Sequence, residues 1–390
     1  MRLLGLVQAP LGRNDGAAAH VIGLFSAFQR AGVEMLCLAP SHLKPSRALP
    51  FRTVYVPTGP WGGAWTWLWH LLSPLWMLLY RIVFRPNVLY ARGHLLLAQG
   101  ALARLTGLPM AVEVNDEKAG ELGWDGGLRA RAATLARWTT WATYRLAHRI
   151  LTVTPQLRDL AISEYGAQPA RCRVVSNGFD PEVYYPRPRD AAKRELGLDA
   201  GRRYAIFVAR LTRRHSLDLM LEGFKLFARS DGDMDLLVVG DGPARPELEE
   251  MVRQAGLGER VIWAGEVSHR EVAVYVSASD VGISQLRVDR NARRVGASPL
   301  KVWAYLGCAR PVIAGDVPNL AEMLREGDCG IVLKQESAEA FADALGWIAS
   351  HPVEAEAMGR RGHELASSRY TWDAVARRTL EYLAEVSGGA

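Results

Sequence analysis

The sequence predicts an α/β fold with two doubly wound domains. Short apolar runs alternate with helical patterns through the first half, and the same alternation starts again in the second half. Such alternation is typical of parallel sheets whose strands are joined by right-handed helical crossovers. A chain of 390 residues is also too long for one ordinary hydrophobic core, so we expect two domains.

The apolar runs give the order of the predicted strands. In the first half they are LLGLVQA, EMLCLAP, RTVYVPT, NVLYARG, MAVEVND, RILTVTP and CRVVSNG. In the second half they are YAIFVAR, MDLLVVG, RVIWAGE, DVGISQL, RPVIAG and GIVLK. The Pro-rich segment FDPEVYYPRPRD between the two series is typical of a linker. We therefore expect one domain over residues 1–182 and a second over 183–370, with ligands bound in the cleft between them.

Composition and charge narrow the class of protein. The net charge is +6, which suits nucleic acid, an anionic membrane or a phosphorylated substrate. No zinc-ligand spacing and no basic stripe interleaved with aromatic residues occurs, so we expect no nucleic-acid partner. The four cysteines are far apart and fit buried thiols in a reducing compartment. Residues 1–10 are expected to form a strand rather than a signal peptide, which favours a cytoplasmic enzyme.

Residues 61–80, WGGAWTWLWHLLSPLWMLLY, contain no charged side chain. Their length would allow a membrane span, but they lie between two predicted strands of one parallel sheet, and Pro74 would kink a spanning helix. Tryptophan prefers the membrane–water interface, and arginines suit anionic headgroups. The segment therefore predicts a helix lying on the membrane, and a buried crossover helix remains the alternative. The residues predicted to face the membrane are Trp65, Trp67, Trp69, Trp76 and Arg81.

Residues 295–312, VGASPLKVWAYLGCARPV, predict a helix followed by a strand. Small residues and Pro299 open the helix, and proline suits the first helical turn because its missing N–H has no partner there. The free N–H groups and the dipole at such a start favour a bound anion.

Five stretches in their order and spacing resemble the retaining glycosyltransferases of the GT-B fold, in the family 4 group. They are GRNDGAAAHV (12–21), LTVTPQLRDLAISEYG with CRVVSNGFDPEVYYP (151–186), FVARLTRRHSLDLMLEGF (207–224), residues 236–284 with GDGP and AGE, and SPLKVWAYLGCARPVIAGDVPNLAEML (298–324). The resemblance covers nearly the whole chain. It implies two Rossmann-like domains facing across a cleft, and a closing helix over 371–386 that returns to the first domain.

The resemblance implies a nucleotide-diphosphate sugar donor, UDP- or GDP-linked, held without a metal ion or other cofactor. Arg210 matches the arginine of the family's G-R-L motif, and a guanidinium can grip two phosphate oxygens. His215 stands where the family has a lysine, and it is cationic only near or below pH ~6.5. The donor-binding residues so implied are Gly16, Arg210, His215, Gly240, Glu266, Ser298, Pro299, Leu300, Lys301 and Ala304.

Ala304 departs from the family pattern. A glutamate usually stands there and takes the ribose hydroxyls, because a carboxylate accepts two hydrogen bonds. The first acid of the same Glu-x7-Glu pair would fall at Gly296, so both carboxylates are absent. Three explanations remain: a weaker grip on the donor, an unusual donor, or lost activity.

In the first domain, EVND (113–116) aligns with a family strand end that often reads E-V-H-D. Asn115 stands at the histidine, and the resemblance implies Asn115, Asp116, His20 and His94 as acceptor-side or sugar-side residues. The implied catalytic residues are Arg210, His215 and Asp116, acting by front-face attack with retention, since no carboxylate nucleophile can be assigned. The sequence thus predicts a hexosyltransferase with a hydroxyl acceptor, membrane- or lipid-linked in surface glycan assembly, at the inner face of a membrane. A non-catalytic homologue and a soluble natural-product glycosyltransferase are the alternatives.

Overall fold

The computed structural model describes residues 1–12, 15–45, 48–58, 66–93, 96–117, 128–212, 217–230, 232–284 and 287–387. They form two compact units. Unit 1 comprises Met1–Ser176, Arg294–Gly296 and Trp372–Ala390, and unit 2 comprises Asn177–Arg293 and Ala297–Thr371. Unit 2 thus begins at Asn177, ahead of the predicted boundary at 182/183, because the Pro-rich segment packs with the second sheet's unit.

Unit 1 is built on a seven-stranded sheet in the order β3-β2-β1-β4-β5-β6-β7, and every adjacent pair is parallel. The strands are β1 (Arg2–Val7), β2 (Glu34–Pro40), β3 (Thr53–Val56), β4 (Val88–Arg92), β5 (Met110–Val114), β6 (Arg149–Thr152) and β7 (Cys172–Val174). The helices are α1 (Gly16–Arg30), α2 (Thr66–Val83), α3 (Leu97–Leu105), α4 (Leu128–Leu146), α5 (Pro155–Ser163) and, from the end of the chain, α15 (Trp372–Ala384). Short 3-10 turns occupy Ser41–Leu43 and Pro169–Arg171.

The strand order fixes which helices share a face of this sheet. From β1 the chain moves one way to β2 and β3, and from β4 it moves the other way to β7. Right-handed crossovers therefore place α1 on one face and α2 to α5 on the opposite face. The contacts agree, since α2 packs on α3, α3 packs on α4, and α1 packs on α15.

Unit 2 is built on a six-stranded parallel sheet in the order β10-β9-β8-β11-β12-β13. The strands are β8 (Arg203–Val208), β9 (Met234–Val239), β10 (Val261–Gly265), β11 (Val281–Ile283), β12 (Val312–Gly315) and β13 (Gly330–Leu333). The helices are α6 (Arg189–Glu195), α7 (Leu217–Arg229), α8 (Arg245–Gln254), α9 (His269–Ala278), α10 (Arg290–Val295), α11 (Leu300–Gly307), α12 (Leu320–Glu326), α13 (Ala338–Ser350) and α14 (Pro352–Arg369). Both sheets confirm the predicted α/β class.

Local signals explain several helix starts. The Asp15 carboxylate accepts from the Ala18 N–H at 2.9 Å and begins α1, and Thr154 caps α5 in the same way with Pro155 in the first turn. Such side-chain caps satisfy amides that have no partner inside a helix. The central strands are buried along nearly their whole length, as parallel strands covered on both faces should be.

Helix α2 is buried on one side and exposed on the other. Trp69 is 0% exposed and lies in the core of unit 1 with Met77, and Trp76 packs partly buried against the same core. The prediction that Trp69 faces a membrane is therefore wrong, because its indole fills the space between α2 and the sheet. Among the side chains of α2 that the structure describes, the exposed large apolar ones are leucine, isoleucine and valine.

The structure describes only some of the other residues predicted to face a membrane. Trp65 and the side chain of Trp67 lie outside the described residues. Arg81 is partly exposed, and its guanidinium donates to the Pro86 carbonyl at 3.4 Å. In the part of the chain that the structure describes, no helix is both long and apolar enough to cross a bilayer.

Candidate active site

Helix α11 sits where the strand order of unit 2 reverses, between β8 and β11. The Tyr305 hydroxyl accepts from the Val208 N–H at 3.0 Å and donates to the Ile283 carbonyl at 3.2 Å. It therefore joins α11 to the carboxyl ends of both strands. Gly282 leaves room for the ring, since a Cβ there would lie 2.2 Å from Tyr305 Cδ2. In open α/β sheets, ligands bind at this reversal point.

The start of α11 offers unused hydrogen-bond donors. Pro299 precedes the helix and gives no side-chain cap. Among the described residues, neither the Leu300 N–H nor the Lys301 N–H meets an acceptor. Asn177 holds Ser298, two residues before α11, in place. Its Nδ2 donates to the Ser298 carbonyl at 2.6 Å, and its N–H donates to Ser298 Oγ at 3.4 Å. The segment is thus held in place while its amides remain available to an anion.

The side chain of Lys301, in the first turn of α11, packs on an aromatic ring. Its Nζ lies 4.3 Å from the centroid of the Phe207 ring on β8, and it forms no ion pair with any described residue. Burial of the ammonium lowers the pKa of Lys301 to about 7. An enclosed cation gains most from an anion placed beside it. This environment fits the predicted role of Lys301 in binding a phosphate group, which stays a prediction.

Arg210 follows β8 and is exposed, with no partner among the described residues. The backbone around it pairs with the loop after β9: the Ala209 N–H donates to the Val239 carbonyl, and the Leu211 N–H to the Asp241 carbonyl, both at 3.0 Å. Gly240 permits this approach, because it has φ +124° and a Cβ there would lie 1.9 Å from the Ala209 oxygen. Gly240 thus shapes the loop that positions Arg210.

The other predicted donor-binding residues of unit 2 are Glu266, His215 and Ala304, and Ser284 is an unpredicted polar residue at the same edge of the second sheet. Glu266 is exposed just after β10, and His215 lies outside the described residues. Neither position of the family's acid pair offers a carboxylate. One holds Ala304, which is buried within α11, and the other holds Gly296, which has φ +68°. Ser284, at the end of β11, is buried, and its hydroxyl has no partner among the described residues.

Sequence reasoning missed Asn177, Ser284 and Tyr305. Asn177 lay in the quoted stretch CRVVSNG, but nothing in that stretch shows that it bonds to Ser298. Tyr305 and its partner Gly282 are far apart in sequence, and their contact depends on the sheet order.

In unit 1 two of the predicted sugar-side residues, His20 and Asn115, contact a buried carboxylate. Glu113, on β5, accepts from the Tyr90 hydroxyl at 2.6 Å and from Asn115 Nδ2 at 2.6 Å. Arg92 Nε lies 3.3 Å away and His20 Nε2 lies 2.6 Å away. Burial alone would raise the pKa of Glu113, but the charges of His20 and Arg92 and the hydrogen bonds it accepts hold that pKa well below its usual range.

The contacts with Glu113 hold the His20 ring in place and orient the Asn115 amide. His20 is buried against the edge of Trp372, with ring centroids 5.1 Å apart, so its contact with a sugar stays a prediction. The Asn115 amide nitrogen faces Glu113, which leaves its carbonyl oxygen for another donor. Asp116 is exposed beside it, and Gly16 is exposed as the first residue of α1. His94 lies outside the described residues.

Family models match both halves of the chain. Residues 14–183 match the model described as Glycosyltransferase Family 4, and residues 188–365 match the model described as Glycosyl transferases group 1. The D-inositol 3-phosphate glycosyltransferase of Rhodococcus opacus is 30% identical over 240 residues, which cover 60% of this chain and 52% of that protein. The chain thus spans about half the length of this curated relative.

Solved structures show the same architecture. A sucrose-phosphate synthase from Thermosynechococcus elongatus superposes with a TM-score of 0.80 at 18% identity, covering 100% of both chains. Anabaena HepE, solved in complex with UDP, gives a TM-score of 0.75 at 16% identity, covering 99% of this chain and 100% of HepE. The chain therefore has the GT-B fold of the group 1 and family 4 glycosyltransferases.

Proposed function

We propose that the protein is a retaining glycosyltransferase that moves a sugar from a UDP- or GDP-linked donor to a hydroxyl acceptor. The observation that carries this is the start of α11 at the reversal point of the sheet, where neither the Leu300 and Lys301 amides nor the Lys301 ammonium has an acceptor or a carboxylate partner among the described residues. A diphosphate satisfies such a set, because amides and ammonium groups both donate to its oxygens. The relative in Rhodococcus is named a glycosyltransferase, and HepE was solved with UDP, which supports the same class.

The proposed chemistry is stabilisation of the leaving diphosphate. The bond between the anomeric carbon and the phosphate oxygen breaks, and the acceptor oxygen forms its bond on the same face of the sugar. The acceptor's proton passes to the leaving phosphate oxygen, so that no carboxylate nucleophile and no metal ion is required. Arg210, His215 and the start of α11 are proposed to hold the developing charge. Asn115 and Asp116 are proposed to orient the sugar or the acceptor.

The acceptor is proposed to be lipid-linked, as in the assembly of a surface glycan, with the protein acting at the inner face of a membrane. The exposed apolar side of α2 supports this, since a soluble acceptor gives no reason for such a surface. The absence of both family carboxylates, at Gly296 and Ala304, favours one second candidate. In that case the chain binds a nucleotide sugar without transferring it.

A thermal-shift screen against UDP, GDP and ADP, followed by an assay of donor turnover, tests the proposal. A ligand that binds only the folded protein raises the melting temperature with its concentration. We expect UDP or GDP to do so, and the corresponding sugar nucleotide to be consumed when an acceptor is added. Binding without turnover would favour the second candidate, and the absence of a shift with all three nucleotides would contradict both.

A further inference from the structure

The outward side of α2 is an apolar stripe that no described residue of unit 1 covers. Leu71, Leu75, Leu78 and Ile82 recur at helical spacing and are 67%, 58%, 43% and 68% exposed. The opposite side of the helix already fills the core of unit 1. A helix that is apolar all round is normally buried all round, so the outward side needs something to cover it.

The neighbouring helices extend this stripe. Helix α3 packs on α2 and α4 packs on α3, all on one face of the sheet. Leu105 projects from α3, and Leu135, Trp138 and Trp141 are exposed on α4. We call these eight residues the α2–α4 surface: Leu71, Leu75, Leu78, Ile82, Leu105, Leu135, Trp138 and Trp141. Contiguous apolar patches of this kind on a folded protein mark an interaction surface.

The three helices that carry the α2–α4 surface contribute arginines and no carboxylates. No Asp or Glu occurs in the sequence between Glu34 and Glu113, or between Asp125 and Asp159, and these two intervals contain all three helices. Arg104 on α3, Arg145 on α4 and Arg85, two residues after α2, are exposed. The Arg145 guanidinium lies 4.7 Å from the centroid of the Trp141 ring. Leucine and tryptophan among arginines, without carboxylates, is the composition of a surface that binds anionic lipid.

We propose that the α2–α4 surface docks on an anionic lipid bilayer. The leucines and tryptophans enter the boundary between headgroups and acyl chains, and the arginines bind lipid phosphates. A second copy of the chain fits less well, because a two-fold dimer would bring the same arginines together without carboxylates from these helices to pair with. The inference deepens the proposed function, since it names the surface that would bring a lipid-linked acceptor to the enzyme.

Vesicle flotation tests the proposal without reading catalysis. We expect the wild-type protein to float with vesicles of equal parts phosphatidylcholine and phosphatidylglycerol, and to float weakly with phosphatidylcholine alone. The double variant Leu75→Glu with Ile82→Glu should lower binding to the anionic vesicles on the order of tenfold or more, because two carboxylates would enter the apolar boundary. Trp138→Gln should lower it by a smaller factor.

Val353→Glu is the matched control. Val353 is 72% exposed on α14 of unit 2, so this variant places one carboxylate at an exposed apolar position without touching the α2–α4 surface, and it should float like the wild type. Nucleoside-diphosphate thermal shifts should be the same in all four proteins, which verifies folding and keeps this test separate from that of the proposed function.

Three results would overturn the proposal. The first is wild-type protein that stays free of anionic vesicles. The second is equal loss of binding in the Val353→Glu control. The third is a wild-type dimer in light scattering that Leu75→Glu with Ile82→Glu converts to monomer, since a second copy would then cover the surface.

Discussion

Replacing Lys301 with methionine removes the one cation that α11 places beside its open amides. Methionine keeps an unbranched apolar stem that is one atom shorter, and it removes the ammonium group that lies on the Phe207 ring. A hydrogen bond to a charged group contributes about 1.5–3 kcal/mol, which is roughly a 10- to 150-fold loss in affinity for a diphosphate. Lys334→Met, at an exposed lysine of unit 2, should leave affinity unchanged.

The lowered pKa of Lys301 gives the same prediction a pH signature. A bound diphosphate favours the ammonium form and raises the pKa of Lys301 above its unliganded value of about 7. Affinity should therefore be highest below about pH 7 and should fall by up to about tenfold per pH unit as the pH rises above that value. The stability of the unliganded protein should show the opposite trend, because the buried ammonium costs folding free energy below about pH 7 and this cost declines as the pH rises and folded Lys301 loses its proton.

Calorimetric titration with the sugar nucleotide measures both effects, since its diphosphate does not titrate in this range. At pH 8, comparison of buffers with different ionisation enthalpies should show uptake of about one proton by the wild type and none by Lys301→Met. The reasoning is refuted if Lys301→Met binds as tightly as the wild type, or if wild-type affinity rises with pH.

Three further substitutions test the rest of the site. Arg210→Ala should reduce donor turnover by roughly a hundredfold or more, because the leaving phosphate loses a bidentate partner; near-wild-type turnover would remove Arg210 from the mechanism. Ala304→Glu should tighten nucleotide binding roughly 10- to 100-fold by restoring a ribose acceptor, and weaker binding would mean that the pocket is shaped for another ligand. Tyr305→Phe should lower the free energy of unfolding by about 1–3 kcal/mol in denaturant titrations, because the partly buried Val208 N–H loses its acceptor; an unchanged midpoint would contradict the role of Tyr305 at the reversal point.

Most of the fold followed from local pattern. Each predicted apolar run became a strand, including the three-residue strand β7, because buried parallel strands need only continuous apolar sequence and a following helix. Helix α2 shows where pattern fails. Its tryptophans suggested a membrane-facing side, but both faces are apolar, and periodicity cannot say which one packs on the sheet. The side of α2 with Trp69 packs on the sheet, and the leucines on the opposite side are exposed.

Some parts of the candidate site could likewise be predicted from local sequence, and others could not. Ser298 to Lys301 could be predicted from a small-residue helix start, since an amide cluster at a helix N-terminus is a local property. The low pKa of Lys301 could not, because it depends on enclosure beside Phe207 on a distant strand. His20 was predicted to face a sugar, and its pairing with Glu113 across two elements was invisible in the sequence.

The central claim is that the donor's diphosphate binds at the start of α11. A crystal structure with the nucleoside diphosphate that gives the largest thermal shift tests it most directly. The account predicts the terminal phosphate within hydrogen-bond distance of the Leu300 and Lys301 amides and of Lys301 Nζ. A diphosphate bound elsewhere, with these three donors left without it, would contradict the account.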